Sequence, residues 1–86
     1  MITSEQIRAA RQLIRVTADE LASQSGVGVA TIRRFELMFG VPSGNARSVE
    51  AIQATLEQMG VEFIGTPEDR PGVRLNMSKN NHNLVI

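Results

Sequence analysis

Apolar residues recur every three or four positions along most of this chain and then switch to strict alternation near its end. Ile7, Ala10, Leu13 and Ile14 form one stripe, and Val49, Ile52, Leu56 and Met59 form the clearest. The first stripe predicts a helix from about Ser4 to Arg15, capped by Thr3, with Arg8 and Arg15 pointing away from the buried side. The second predicts a helix ended by Gly60, a glycine placed just past a helix C-terminus. Beyond it Val61 and Phe63 face one way with Glu62 the other, and Val73 and Leu75 face one way with Arg74 the other. An antiparallel register with Glu62 opposite Arg74 aligns both apolar pairs and sets opposite charges together. The intervening GTPEDRPG is longer than a tight hairpin prefers, and an isolated two-stranded ribbon is marginal in water. Pairing with a second copy through Val61, Phe63, Val73 and Leu75 is therefore expected.

Between these stripes lies TADELASQSGVGVATIRRFE, from Thr17 to Glu36. Thr17 and Glu20 have capping-box spacing, which starts a helix near Ala18 and carries it to about Ser25. A second helix runs from about Gly28 or Val29 to about Leu37. Ala22 lets the two backbones approach, Gly26 permits the positive φ of a tight turn, and Leu21, Val27, Ile32 and Phe35 pack the pair onto the rest of the domain. This is helix-turn-helix spacing. Helical hairpins of this kind also occur in proteins that bind nothing, so the spacing alone leaves DNA binding open. The following LMFGVPSGNARS is broken by Gly40, Pro42 and Gly44, with Leu37, Met38, Phe39 and Val41 as an apolar anchor.

At 86 residues the chain has the length of one domain of four or five short helices. With no cysteine it has neither a disulfide framework nor a thiolate metal site, and a reducing cytoplasm is the expected compartment. No apolar run has the length of a membrane span, and no basic-plus-apolar signal opens the chain. The formal net charge is zero, which opposes the simplest account of duplex binding, since phosphate neutralisation dominates such affinity. The distribution is uneven, however. Up to Arg47 six arginines (Arg8, Arg11, Arg15, Arg33, Arg34, Arg47) face four acids, whereas Ser48 to Ser78 carries Arg70 and Arg74 against five. The segment with the motif is positive and the rest negative, as for a domain with one nucleic-acid face.

With SEQIRAARQLIRVTADELA before the turn and GVATIRRFE after it, Ile2 to Gly60 resembles the Cro and lambda-repressor-like helix-turn-helix regulators of bacteria and phages, often called the Xre family. GVEFI at Gly60 to Ile64 and PGVRL at Pro71 to Leu75 look like a compact subset with a short β extension. The resemblance implies a mainly α, lambda-repressor-like bundle of four to five short helices, with a DNA-binding domain over residues 1–60 and a short two-stranded β extension over 61–75 expected to dimerise; the polar, Asn-rich composition of 76–86 makes a flexible tail the expectation there. It also implies a partly buried salt bridge between Arg11 and Glu36. In such proteins the second motif helix reads the major groove, here with Gly28, Val29, Ala30, Thr31, Arg33 and Arg34. The loop after it follows the DNA backbone, making Ser43, Asn45 and Arg47 phosphate candidates, although Ser43 and Asn45 serve equally well as helix caps. Arg8 and Arg15 are either a solvated face or further phosphate contacts. Two departures stand out: Val29 and Ala30 offer no side-chain hydrogen bond where the family often has Gln, Ser or Arg, and Ala18 replaces a frequent polar residue.

No nucleophile with a base, carboxylate pair or phosphate-binding glycine loop is visible, and no metal or cofactor is implied. His82 stands alone in an Asn-rich tail ending in Leu84, Val85 and Ile86. The expected function is that of a nucleoid-associated transcriptional regulator, binding a palindromic operator in double-stranded DNA as a homodimer. The alternative is a protein-binding module on the same fold, an anti-activator or antitoxin-like partner of another regulatory protein.

Overall fold

The computed structural model describes residues 1–76 of the chain. The tail from residue 77 onward, with His82 and the apolar Leu84, Val85 and Ile86, lies outside the described residues. Four helices and a two-stranded antiparallel sheet follow one another: α1 (Ser4–Ile14), α2 (Ala18–Ser25), α3 (Val29–Glu36), α4 (Ala46–Gln58), β1 (Val61–Thr66) and β2 (Asp69–Leu75). Among the described residues no helix is long and apolar enough to cross a membrane.

Local chemistry accounts for most of the boundaries. Thr3 and Gln6 form a capping box at α1, and Thr17 and Glu20 form another at α2, where the Glu20 N–H donates to Thr17 Oγ1 at 3.0 Å and the Thr17 N–H to Glu20 Oε1 at 2.8 Å. Helix α1 stops one residue short of the expected end because Arg15 adopts a left-handed φ of 58°. The turn between α2 and α3 uses Gly26 at φ 77°, and the Ser25 hydroxyl accepts from the Val27 N–H. Asn45 caps α4, which therefore begins at Ala46, inside the stretch expected to be loop.

The core is built from Ile2, Ile7, Ala10, Leu21, Val27, Ile32, Phe35, Val49, Ile52, Leu56 and Val61, one contiguous cluster drawn from every helix and β1. Leu13 departs from its predicted stripe and is 41% exposed. The loop after α3 also departs from expectation. Met38 packs against the core, but Leu37 and Phe39 are 82% and 86% exposed and are not part of the core cluster of the described residues.

The strands pair with Glu62 opposite Arg74 and Phe63 opposite Val73, the register inferred from alternation. Pairing continues to Thr66 and Asp69, which shortens the connection to Pro67 and Glu68. A bulge on β2 sets Arg70 and Pro71 opposite the single residue Gly65, whose φ is 76° and where a Cβ would lie 2.2 Å from the Arg70 carbonyl oxygen.

The hairpin does not stand alone. Gln6, buried on α1, donates from Nε2 to the carbonyl oxygens of Ile64 at 3.1 Å and Gly72 at 2.8 Å, while its Oε1 accepts from the Thr3 N–H at 2.8 Å. One side chain thus starts α1 and clamps both strands to it. Val61 is buried, Phe63 and Val73 pack against the core, and Leu75 is half-buried. The ribbon expected to need a second copy thus already packs one face on its own chain, with Phe63, Val73 and Leu75 left partly accessible.

Candidate nucleic-acid interface

Helix α3 lies between two environments. Its inner side buries Ile32 and Phe35 completely. Ala30, Arg33 and Arg34 face outward, Val29 and Thr31 are half-buried at the margins, and Gly28 is exposed at the N-cap without a side-chain hydrogen bond. The pattern follows from helical geometry, in which positions three and four apart share a face.

Arg33 and Arg34 are adjacent in sequence and diverge by roughly 100° around the axis, so they meet different neighbours. Arg33 Nη2 lies 3.8 Å from Asp19 Oδ2 of α2, with both side chains largely exposed, a pair that solvent screens strongly. Arg34 turns toward the loop ahead of α4. Its guanidinium carbon lies 5.5 Å from the centroid of the Phe35 ring, and its Nη2 would be 3.9 Å from a Cβ placed at Gly44. With Ala30 and Thr31 it lines a shallow concavity of about 190 Å³.

Of the other phosphate candidates, Arg15 and Arg47 are exposed and have no ion-pair partner among the described residues. Asn45 acts as a cap, its Oδ1 accepting from the Arg47 N–H at 2.9 Å. Ser43 is exposed, its hydroxyl 3.9 Å from the Met38 sulfur.

Arg8 is half-buried and does more than face solvent. Its Nη1 donates to the carbonyl oxygens of Glu36 and Met38, groups left unpaired where α3 ends. Sequence reasoning missed this role because the carbonyls come from a segment 28 and 30 residues away. Next to it, Arg11 makes a two-pronged contact with Glu36: Nε to Oε2 at 2.6 Å and Nη2 to Oε1 at 2.7 Å, while Nη1 donates to the Val16 carbonyl oxygen at 2.9 Å. The side chains are only 19% and 11% exposed. The hydrogen bonds to Glu36 outweigh burial and raise the Arg11 pKa, so its charge is fixed. Glu5 closes the same seam, accepting from the Gly40 N–H at 3.1 Å, and the backbone N–H groups of Glu5 and Gly40 hold its carboxyl below the usual carboxylate range.

Compared with known proteins, the sequence matches no family model and no curated protein. The reading of α3 therefore rests on the chain's own geometry. That geometry fixes α3 at both ends, by the Gly26 turn at one and by Arg8 and Arg11 at the other, and holds its outer face toward solvent. Such a surface can offer a thymine methyl a small apolar contact at Ala30 and a base edge or phosphate the donors of Thr31, Arg33 and Arg34.

Proposed function

We propose that the chain is a DNA-binding regulator of the lambda-repressor-like helix-turn-helix kind, with α2 and α3 as the motif and α3 as the reading helix. The observation that carries this reading is the outward stripe of Ala30, Thr31, Arg33 and Arg34 on a helix whose other side is locked into the core. Arg34, beside Ala30 and Thr31 in the concavity, is the base reader. Arg33, on the α2 side next to Asp19, exchanges that weak pair for a phosphate, and Arg15 and Arg47 are further phosphate contacts. The small side chains at Gly28 and Ala30 bring the backbone of α3 close to the groove floor.

The test is anisotropy of a fluorescent duplex, first as a mixed-sequence pool and then as the sequence selected from it, between about 50 and 200 mM salt. Binding should weaken steeply with salt. On the selected duplex Arg34→Ala should cost ~1–3 kcal/mol and relax preference at one position, whereas Arg33→Ala should weaken all sequences alike and reduce the salt slope by about one. Unchanged affinity for both variants, or no binding at the lowest salt, would refute the reading. The alternative protein-binding module, favoured by the exposed Leu37 and Phe39 and the zero net charge, would then be the better account.

A further inference from the structure

The outer face of α3 is chemically one-sided. The helix reads VATIRRFE; it contains no amide side chain, and its one carboxylate, Glu36, is paired with Arg11 and only 11% exposed. Asp19 of α2 lies on the Arg33 side, 3.8 Å from that guanidinium. On the Arg34 side, Asn45 of the loop ahead of α4 already uses its side-chain oxygen to accept from the Arg47 N–H. The concavity of about 190 Å³ is lined by Ala30, Thr31 and Arg34. It thus presents a methyl group, a hydroxyl, and a guanidinium that has no ion-pair partner among the described residues.

Each base edge asks something different of such a surface. Guanine presents two acceptors, which a guanidinium meets with two parallel hydrogen bonds. The amino groups of cytosine and adenine present donors, best met by a carboxylate or amide oxygen, and the concavity has neither. A hydroxyl donates to thymine O4 or accepts from a cytosine amino group with equal ease, so Thr31 does not tell the two pyrimidines apart. What distinguishes them here is the 5-methyl group, and the side chain placed to meet it is Ala30.

We infer that the concavity recognises the 5-methyl group of a pyrimidine close to a guanine, and that it accepts thymine and 5-methylcytosine alike while discriminating against cytosine. The inference rests on α3 being the reading helix, as proposed above. Ala30 determines specificity for the methyl group and Arg34 for the guanine. The two residues are one helical turn, ~6 Å along the axis, apart. Successive bases are ~3.4 Å apart, so methyl group and guanine stand within two base-pair steps of one another. Methylation of a cytosine at that place converts a poor site into a good one, which makes the same face responsive to the methylation state of DNA.

The probes are versions of the duplex selected from the mixed-sequence pool, in which each thymine of one half-site is replaced in turn by uracil. That change deletes the methyl group and leaves every hydrogen-bonding atom in place. At one position it should weaken binding about fourfold, the worth of one buried methyl group. A 5-methylcytosine–guanine pair at that position should bind within about twofold of the thymine duplex, and an unmethylated cytosine–guanine pair about as weakly as uracil. Ala30→Gly should bring the thymine-to-uracil ratio to about one. Each variant is scored against its own thymine duplex, so a loss of helix stability does not enter the ratio, and Ala30→Ser, a better helix former than glycine, should lower it as well.

A chain that binds the duplex and loses affinity on Arg34→Ala, yet is indifferent to uracil at every thymine, would overturn the inference and leave the reading helix standing. So would 5-methylcytosine that binds no better than cytosine, or a uracil effect that persists in full in Ala30→Gly. No duplex binding at the lowest salt would overturn both the inference and the reading beneath it.

Discussion

Helix α3 carries arginine chemistry on two sides, and the two behave in opposite ways. At the seam with α1, Arg8 and Arg11 approach from the other helix, Arg8 donating through Nη1 to main-chain carbonyls and Arg11 through all three nitrogens to the Glu36 carboxylate and the Val16 carbonyl. On the outward face Arg33 and Arg34 keep one long ionic contact and one ring contact between them. Composition treats all four alike. Depth separates them: a guanidinium at the seam has lost water and must be paired, whereas one on the outer face is hydrated and available to a ligand.

The sharpest way to break this comparison is to remove half of the seam pair. Arg11→Ala or Glu36→Ala leaves a partly buried charge without its partner, so each should lower stability by about 3 kcal/mol, and the double variant should lose less than the sum. Denaturant unfolding measures all three. Strict additivity would mean that the seam is no more coupled than the outer face.

A smaller loss is expected at Gln6, which is neutral but equally buried. Gln6→Ala removes the donor to Ile64 and Gly72 and the acceptor for Thr3, and should cost ~1–3 kcal/mol. Gln6→Glu keeps the shape but presents an acceptor to two carbonyl oxygens. Hydrogen exchange should show hairpin amides opening faster in both variants, with α2 and α3 little changed. Uniform acceleration throughout the domain would show that the clamp is not local.

The smallest effect is acid sensitivity. Glu5, Glu20 and Glu62 all have lowered carboxyl pKa values, from backbone hydrogen bonds in the first two and from hydrogen bonding to Arg74 in the third. A carboxylate depressed in the folded state stabilises fully above its unfolded pKa of ~4.3, and that contribution fades as pH falls through the folded value. Melting temperature should thus fall modestly below about pH 4.5, and the triple variant Glu5→Gln, Glu20→Gln, Glu62→Gln should flatten the slope. Glu5 and Glu20 are exposed and the Glu62 side chain is 43% exposed, so an effect as large as breaking the seam pair would contradict their assigned role.

The parts of this molecule that follow local rules were legible in the sequence. The stripe at Val49, Ile52 and Leu56, the Thr17–Glu20 box, the Gly26 turn and the register of Glu62 against Arg74 each depend on spacings of a few residues or on matching two alternating runs. The rest depends on partners remote in sequence. Arg8 looked like a surface cation because nothing near it announces the carbonyls at the end of α3. Val61, Phe63, Val73 and Leu75 looked like an unsatisfied ribbon because the cover comes from α1, and Gln6, a polar residue among polar neighbours, gives no sign of being buried. Leu37 and Phe39 read as an anchor since apolar residues usually turn inward, a rule that holds in only one direction. For α3 itself the sequence indicated the outward stripe and, from the step of about 100° between adjacent helical residues, the divergence of Arg33 and Arg34, but not that their neighbours would be α2 and the loop ahead of α4.

The Gln6 clamp joins positions separated by 58 and 66 residues, which ties the order of assembly to the order of synthesis. Gln6 leaves the ribosome well before its partners, and its carboxamide cannot find both carbonyl acceptors until residue 72 has been made. The capping box at the start of α1 can form early, with half of the side chain in use, while the other half waits for nearly the whole domain. Closing the hairpin onto α1 is thus a late, long-loop step, and removing Gln6 with the residues before it would release the hairpin from α1.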